Sequence, residues 1–131
     1  SYMVWSSFFY NMKKFKIANL VSTGLLTALM LMSAGMYIFN HAEMAATFLS
    51  LGFPDYLLYP LAAAKIMGLL ALWFSKSNAL KEWAYAGFFF NALLALAAHL
   101  GAGDGEFPGA VMALILIGIS YFTWGKLAKG E

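Results

Sequence analysis

The sequence contains no cysteine, and charged side chains make up only 11% of its 131 residues. The absence of cysteine excludes disulfide bridges, CxxC redox pairs and thiolate metal sites. The hydrophobic fraction is 63%, whereas an ordinary soluble domain is about 45–50% apolar and about 25% charged. The same composition excludes intrinsic disorder. We therefore expect a single domain whose apolar excess faces lipid.

Four long apolar segments have the length of membrane-spanning helices. A helix needs about 20 mostly apolar residues to cross roughly 30 Å of hydrocarbon. We predict spans at about 17–39, 56–74, 83–100 and 108–127, followed by a short tail at 128–131. The expected fold is an all-α integral membrane four-helix bundle.

Lysine is missing from one of the two sets of loops that alternate between these spans. Seven of the eight basic residues lie before the first span, between the second and third, or after the fourth: Lys13, Lys14, Lys16, Lys76, Lys81, Lys126 and Lys129. The other loops contain Glu43, Asp55, Asp104 and Glu106, and no lysine or arginine. Because lysine-rich loops stay in the cytoplasm, we predict cytoplasmic termini in a bacterial cytoplasmic membrane.

Two further segments are too short to span. Residues 1–16 are predicted to be a cytoplasmic segment, whose aromatic part at 1–11 is either an interfacial segment or an extension foreign to the natural chain. Between the first two spans, Met44, Phe48 and Leu51 recur at helical spacing. This spacing predicts a short amphipathic helix on the outer surface, within residues 41–53.

The eighth lysine, Lys65, stands inside the apolar run LAAAKIMGLLALWF at 61–74. It follows Asp55 by about ten residues, which at 1.5 Å per residue puts its ammonium near the bilayer centre. A lysine at that depth costs about 2.5–3.5 kcal/mol, so it is expected to face the bundle interior. Asn91 and Ser33 are the polar residues predicted at the same depth. Two roles remain open, a structural tie between helices and the binding of a ligand or proton.

A second group of polar residues is predicted near the outer surface. Tyr37 and His41 are four residues apart, which places them on one helical face, and His99 lies near the outer end of the third span. Similar heights are predicted for Asn40, Glu43 and Asp104. No HxxxH or HxxE spacing puts two ligands on one helix, so we predict no metal. The alternatives are a polar interface that satisfies loop backbones and a site for the head group of a small molecule.

The stretches LGFPDY, KIMG, KEWAYAGF, GDGEFP and ISYF, taken together, resemble the DoxX-like family of small four-helix membrane proteins. The resemblance extends over about residues 20–127 and implies a four-helix bundle. Some members are subunits associated with quinone-linked redox complexes. We predict no cofactor, and a quinone or lipid remains open as a ligand. It places the following residues on motif positions: Lys65, Gly68, Glu82, Trp83, Tyr85, Gly87 and His99.

Three functions remain open, and the lack of a convincing catalytic set argues against an enzyme. The first is a non-catalytic accessory or structural subunit of a membrane complex, with a redox complex as one option. The second is a binding protein for a quinone or other lipophilic molecule, and the third is a small transporter that acts as an oligomer. The expected partners are the lipid bilayer and other membrane subunits or further copies of the chain, and not nucleic acid. The candidate ligand-binding residues are Lys65, Asn91, Ser33, Tyr37 and His99.

Overall fold

The computed structural model describes residues 2–130, with side chains at 4, 7 and 10–128. Its helices are α1 (Tyr2–Phe39), α2 (His41–Ser50), α3 (Leu58–Phe74), α4 (Asn78–Ala102) and α5 (Pro108–Gly130), and a 3-10 turn at Asp55–Leu57 leads into α3. Four segments are long and apolar enough to span a membrane: Tyr10–Phe39, Asp55–Phe74, Asn78–Ala102 and Pro108–Ala128. The predicted all-α membrane bundle is thus confirmed.

Local sequence signals account for the ends of α4 and α5. The Ser77 hydroxyl accepts a hydrogen bond from the Leu80 N–H at 3.3 Å, which caps α4 at its start. Gly103 ends this helix in the left-handed region, with φ +66°, and its N–H bonds the His99 carbonyl. Helix α5 opens with Pro108, whose missing N–H is no loss in a first turn.

Helix α1 begins well before the predicted first span. No glycine or proline occurs between residues 2 and 23, so nothing interrupts the helix there. The segment predicted separately at 1–16 therefore continues into the span. A helix of 38 residues extends about 57 Å at 1.5 Å per residue, which exceeds the hydrocarbon thickness of about 30 Å. Ser1, Glu131 and the Lys129 side chain, which belong to the predicted terminal segments, lie outside the described residues.

Each of the four long helices packs against two others in an antiparallel arrangement. Helix α1 contacts α3 and α5, and α4 contacts the same two helices. This is the up-down topology that short connections favour in helix bundles. One end of the bundle, here called the acidic end, carries Glu43, Asp55, Asp104 and Glu106. The opposite end, here called the lysine-rich end, carries Lys13, Lys14, Lys16, Lys76, Lys81 and Lys126.

The middle of the bundle is a packed apolar layer. Leu26 and Met30 of α1 meet Leu69 of α3 and Phe88 of α4, and all four are at most 5% exposed. Large apolar side chains on the outside of every span are exposed, among them Leu31 on α1. An outer surface of this kind is suited to lipid and not to water.

A buried polar network ties α1, α4 and α5 together on the lysine-rich side of that layer. The Ser120 hydroxyl is fully buried and lies 2.7 Å from the Tyr85 hydroxyl, and it also pairs with Thr23. The Asn19 amide donates to the Ser120 carbonyl at 2.9 Å and to the Thr123 hydroxyl at 3.0 Å. Hydrogen bonds between membrane helices hold them in register, so the bundle is closed at this side.

Candidate functional site

A cavity of about 500 Å³ opens between the helices on the acidic side of the apolar layer. Its inner end is formed by Met30, Lys65, Ala92 and Ala113, which come from four different helices. The walls continue along α1, α4 and α5 toward the acidic end. Small-molecule sites in proteins measure about 300–1,000 Å³ and are mostly apolar with a few convergent polar groups, and this cavity meets that description.

Lys65 supplies the ammonium at the inner end of the cavity. Its side chain is only 4% exposed. The Nζ atom donates to the Ser33 hydroxyl at 2.7 Å and lies 3.9 Å from the centroid of the Tyr37 ring. Ser33 and Tyr37 are four residues apart on α1, so both face α3. A hydroxyl and a ring face stabilise the ammonium by hydrogen bonding and by a cation–π contact.

Asn91 lies on the α4 side of the same cavity, half-buried, and lines its wall. Within the described residues the hydrogen bond of Lys65 goes to Ser33, and the other partner suggested by depth, Asn91, faces the cavity instead. Depth along the helices therefore brings Lys65, Ser33 and Asn91 to one space, while the rotation of α4 decides that the amide points into the cavity.

Helix α2 forms the outer wall of the cavity. Met44 and Phe48 of α2 and Leu51, its C-cap residue, all line the cavity. The Phe48 ring packs edge-on against Tyr37 with centroids 5.3 Å apart. The amphipathic spacing predicted this helix, but the sequence offered no means of deciding whether its apolar side faced lipid or protein. Facing the protein, α2 forms one wall of the cavity toward the acidic end.

The polar residues predicted as one outer cluster divide into two groups. His99 lines the cavity, and its Nδ1 lies 2.7 Å from Asp104 Oδ2 in the loop after α4. His41 instead stacks on Tyr59 with ring centroids 4.7 Å apart. The expected shared face of Tyr37 and His41 is broken because α1 ends at Phe39 and α2 begins at His41.

Asn40 and Glu43, the remaining members of the predicted cluster, are exposed at the junction of α1 and α2. Asn40 occupies the N-cap position of α2 without a side-chain capping bond, and Glu43 lies in the first turn of that helix. An acidic side chain in a first turn stabilises the helix dipole. The contacts of these two residues are thus local to α2. They are separate from the pair formed by His99 and Asp104.

The loop between α4 and α5 holds a compact polar network that includes one residue not predicted, Glu106. One oxygen of Asp104 pairs with His99, and the other accepts the Glu106 N–H at 2.9 Å. These hydrogen bonds lower the pKa of the Asp104 carboxyl, the backbone bond contributing most. His99, Asp104 and Glu106 offer ligand atoms within 4.8 Å of one another, a spacing that suits a metal ion. Both Asp104 oxygens already have hydrogen-bond partners within the protein. The network therefore holds the loop in this conformation without a metal ion.

The turn that gathers these residues depends on glycines at 103 and 105, both with positive φ. Left-handed backbone favours glycine, and two such residues reverse the chain within a few positions. The GAGDGE stretch indicated a tight turn in the sequence. Its effect on side chains five to seven residues apart was not visible there, which is why Glu106 was not among the predicted residues.

Comparison with known proteins supports the reading of the fold. No curated protein and no solved structure gives a significant match to the chain. The family model described as the DoxX-like family matches residues 21–122, which is most of the chain and covers the second and third spans whole and most of the first and fourth. The chain belongs to the DoxX-like family of membrane proteins.

Proposed function

We propose that this DoxX-like membrane protein binds a lipophilic small molecule, with a quinone as one candidate, in the cavity beside Lys65. The observation that carries the proposal is a buried ammonium at the inner end of an apolar cavity. Lysines inside a membrane are costly and mark functional sites by default. Ligand binding takes precedence over the accessory-subunit role because that role does not require such a cavity. It takes precedence over the transporter role because a transported substrate needs access from both sides, and the Ser120 network closes the bundle on the lysine-rich side.

The polar groups converge as a head-group site requires. Lys65 and Asn91 offer N–H donors from the neighbouring helices α3 and α4, and the Tyr37 ring contributes to the cavity wall on α1. An ammonium has three donors, of which Ser33 takes one. A ligand oxygen placed beside Lys65 would take another. The chain of the ligand would then extend past Phe48 toward the acidic end.

Replacing Lys65 by methionine is expected to remove most of the lipophile that copurifies with the protein, a loss of about tenfold or more. Charge-assisted hydrogen bonds are about twice as strong as neutral ones, and this variant loses them all. The fold should survive, because apolar residues of matched volume often replace buried charges without loss of stability. The measurement is mass spectrometry of organic extracts from equal amounts of the full chain, purified in mild detergent.

Lys76→Met is the matched control, since Lys76 is exposed at the lysine-rich end and away from the cavity. Its extract should equal that of the unaltered protein. If Lys65→Met retained the same lipophile in the same amount, the cavity would not be a ligand site and Lys65 would be a structural tie between α1 and α3. Asn91→Leu provides a second variant that alters the cavity and keeps the ammonium.

We also propose that the lysine-rich end faces the cytoplasm. Six lysines whose side chains are described lie at that end, and no lysine lies at the acidic end. The chain has no cysteine, so single cysteines report cleanly on sidedness. In intact cells, Asp104→Cys should react with a membrane-impermeant maleimide and Asn78→Cys should react only after lysis. The reverse pattern would invert the topology and place the cavity mouth on the cytoplasmic side.

A further inference from the structure

The charge of Lys65 has no counter-ion among the described side chains. Its partners there are the neutral Ser33 hydroxyl and the Tyr37 ring. Among the described residues, the basic and acidic side chains that lie within 4.0 Å of each other are His99 and Asp104, not Lys65. A buried charge without an opposite charge is unfavourable, and the penalty is relieved when one is supplied. The empty space next to the ammonium is the cavity itself.

We infer that the ligand of this cavity carries an anionic head group, such as a carboxylate, on a single apolar chain. The inference rests on the proposed function and specifies the chemical class of the ligand, an anionic amphiphile in place of the neutral quinone named there. The anion neutralises Lys65 and forms the charge-assisted hydrogen bonds for which the ammonium has donors to spare. The amide of Asn91 donates to the second oxygen from the α4 wall.

The acidic residue that lines the cavity does not conflict with an anion at Lys65. Glu106 is exposed in the loop between α4 and α5, at the mouth of the cavity. Lys65 follows Asp55, at the same end as Glu106, by about ten residues, which corresponds to about 15 Å along the bundle. His99 and Asp104 lie at the mouth as well, where His99 Nδ1 is 2.7 Å from Asp104 Oδ2. The inner end is thus positive and the mouth acidic, which orients an anionic amphiphile with its head inward.

The size and lining of the cavity favour one chain over two. Its volume of about 500 Å³ falls in the lower half of the range for small-molecule sites. Between Lys65 and the mouth the walls are formed largely by apolar side chains such as Met36, Phe48, Leu57 and Leu94. A single aliphatic or isoprenoid chain matches this lining, whereas a phospholipid would bring a second chain.

The test compares hexadecanoate with hexadecan-1-ol, which has the same chain length and a neutral head. Binding of each radiolabelled compound to the full chain is measured at one pH in detergent micelles, with empty micelles subtracted. We expect hexadecanoate to bind about tenfold or more tightly than the alcohol. Lys65→Met should abolish this difference, and Lys65→Arg, which keeps the charge, should retain it. If the Met variant fails to fold, the Arg variant still tests whether a positive charge at this position is sufficient for the preference for the acid.

Equal binding of the acid and the alcohol to the unaltered protein would overturn the inference and leave the proposed function standing. Binding of neither compound, in a protein whose extract still contains a lipophile that depends on Lys65, would also overturn it. An extract without such a lipophile would instead remove the proposed function. Displacement of hexadecanoate by an equal concentration of phosphatidylglycerol would overturn the assignment to a single chain.

Discussion

Replacing Gly68 by alanine is expected to destabilise the bundle by about 1–3 kcal/mol, as overpacking of a core does. A Cβ atom at this position would lie 2.7 Å from Cζ of the Phe88 ring and 3.1 Å from Cε2. Phe88 is 4% exposed and belongs to the central apolar layer, so its ring has little space into which to move. The measurement is the free energy of unfolding in mixed micelles of dodecyl sulfate and a mild detergent, followed by helical circular dichroism.

Gly87→Ala is the matched control on the neighbouring helix, because an added Cβ there meets no atom within 4 Å. Alanine exceeds glycine in helix propensity by about 0.8–1.0 kcal/mol, so this variant should be as stable as the parent or more so. Adding Phe88→Leu to Gly68→Ala should restore part of the lost stability by removing the atoms that clash. If Gly68→Ala matched the control, α3 and α4 would not approach as closely as the structure indicates.

Gly68 illustrates what a sequence predicts and what only a structure settles. The resemblance to the DoxX-like family placed this glycine on a motif position, and small residues let membrane helices approach closely. The partner ring, Phe88, was one of several phenylalanines in AYAGFFFN, and no pattern in the sequence singled it out. Which of three consecutive aromatic rings meets α3 depends on how α4 is rotated, and packing against two neighbours sets that rotation.

The membrane spans were predictable because their signal is a property of composition. Unpaired backbone N–H and C=O groups are costly in lipid, so a chain crosses the membrane as a helix that pairs all of them. Each crossing therefore leaves an apolar segment of suitable length, bounded by charged loops. The predicted ends at 39 and 74 coincide with the ends of α1 and α3, and the predicted start at 108 with that of α5. The start of α1 was harder to predict, because the polar and aromatic residues that end a membrane span can still continue the helix.

The sequence predicted how deep in the membrane the residues of the candidate site lie, but not which contacts they make. Counting residues along the spans brought Lys65, Ser33 and Asn91 to the same level, and the cavity contains all three. The contact of Lys65 with the Tyr37 ring depends on how α1 and α3 are rotated against each other, and the contact of Phe48 with the same ring depends on α2 folding back over the bundle. That return begins at the break in the helix at Asn40, between α1 and α2, whose geometry no periodicity describes.

The apolar layer lies between two polar regions, which differ in whether their hydrogen-bonding groups are already satisfied. On one side lies the Ser120 network, in which hydroxyls and amides satisfy one another. On the other side lies Lys65, whose partners leave hydrogen-bonding capacity for a guest. Leu26 lies between them on α1 and is fully buried. A gap at Leu26 would therefore weaken packing where no polar contact compensates.

Leu26→Ala is accordingly expected to cost about 2 kcal/mol, which is the low end of the range for buried leucines in soluble cores. The value is low because lipid tails are as apolar as leucine, so the loss reflects missing packing contacts more than hydrophobic transfer. Leu25→Ala is the matched control, since Leu25 is 54% exposed on the lipid-facing side of the same helix. It should change the free energy of unfolding by less than about 0.5 kcal/mol. Equal effects of the two substitutions in the dodecyl sulfate titration would mean that α1 is rotated relative to the arrangement described, with Leu26 outside the core.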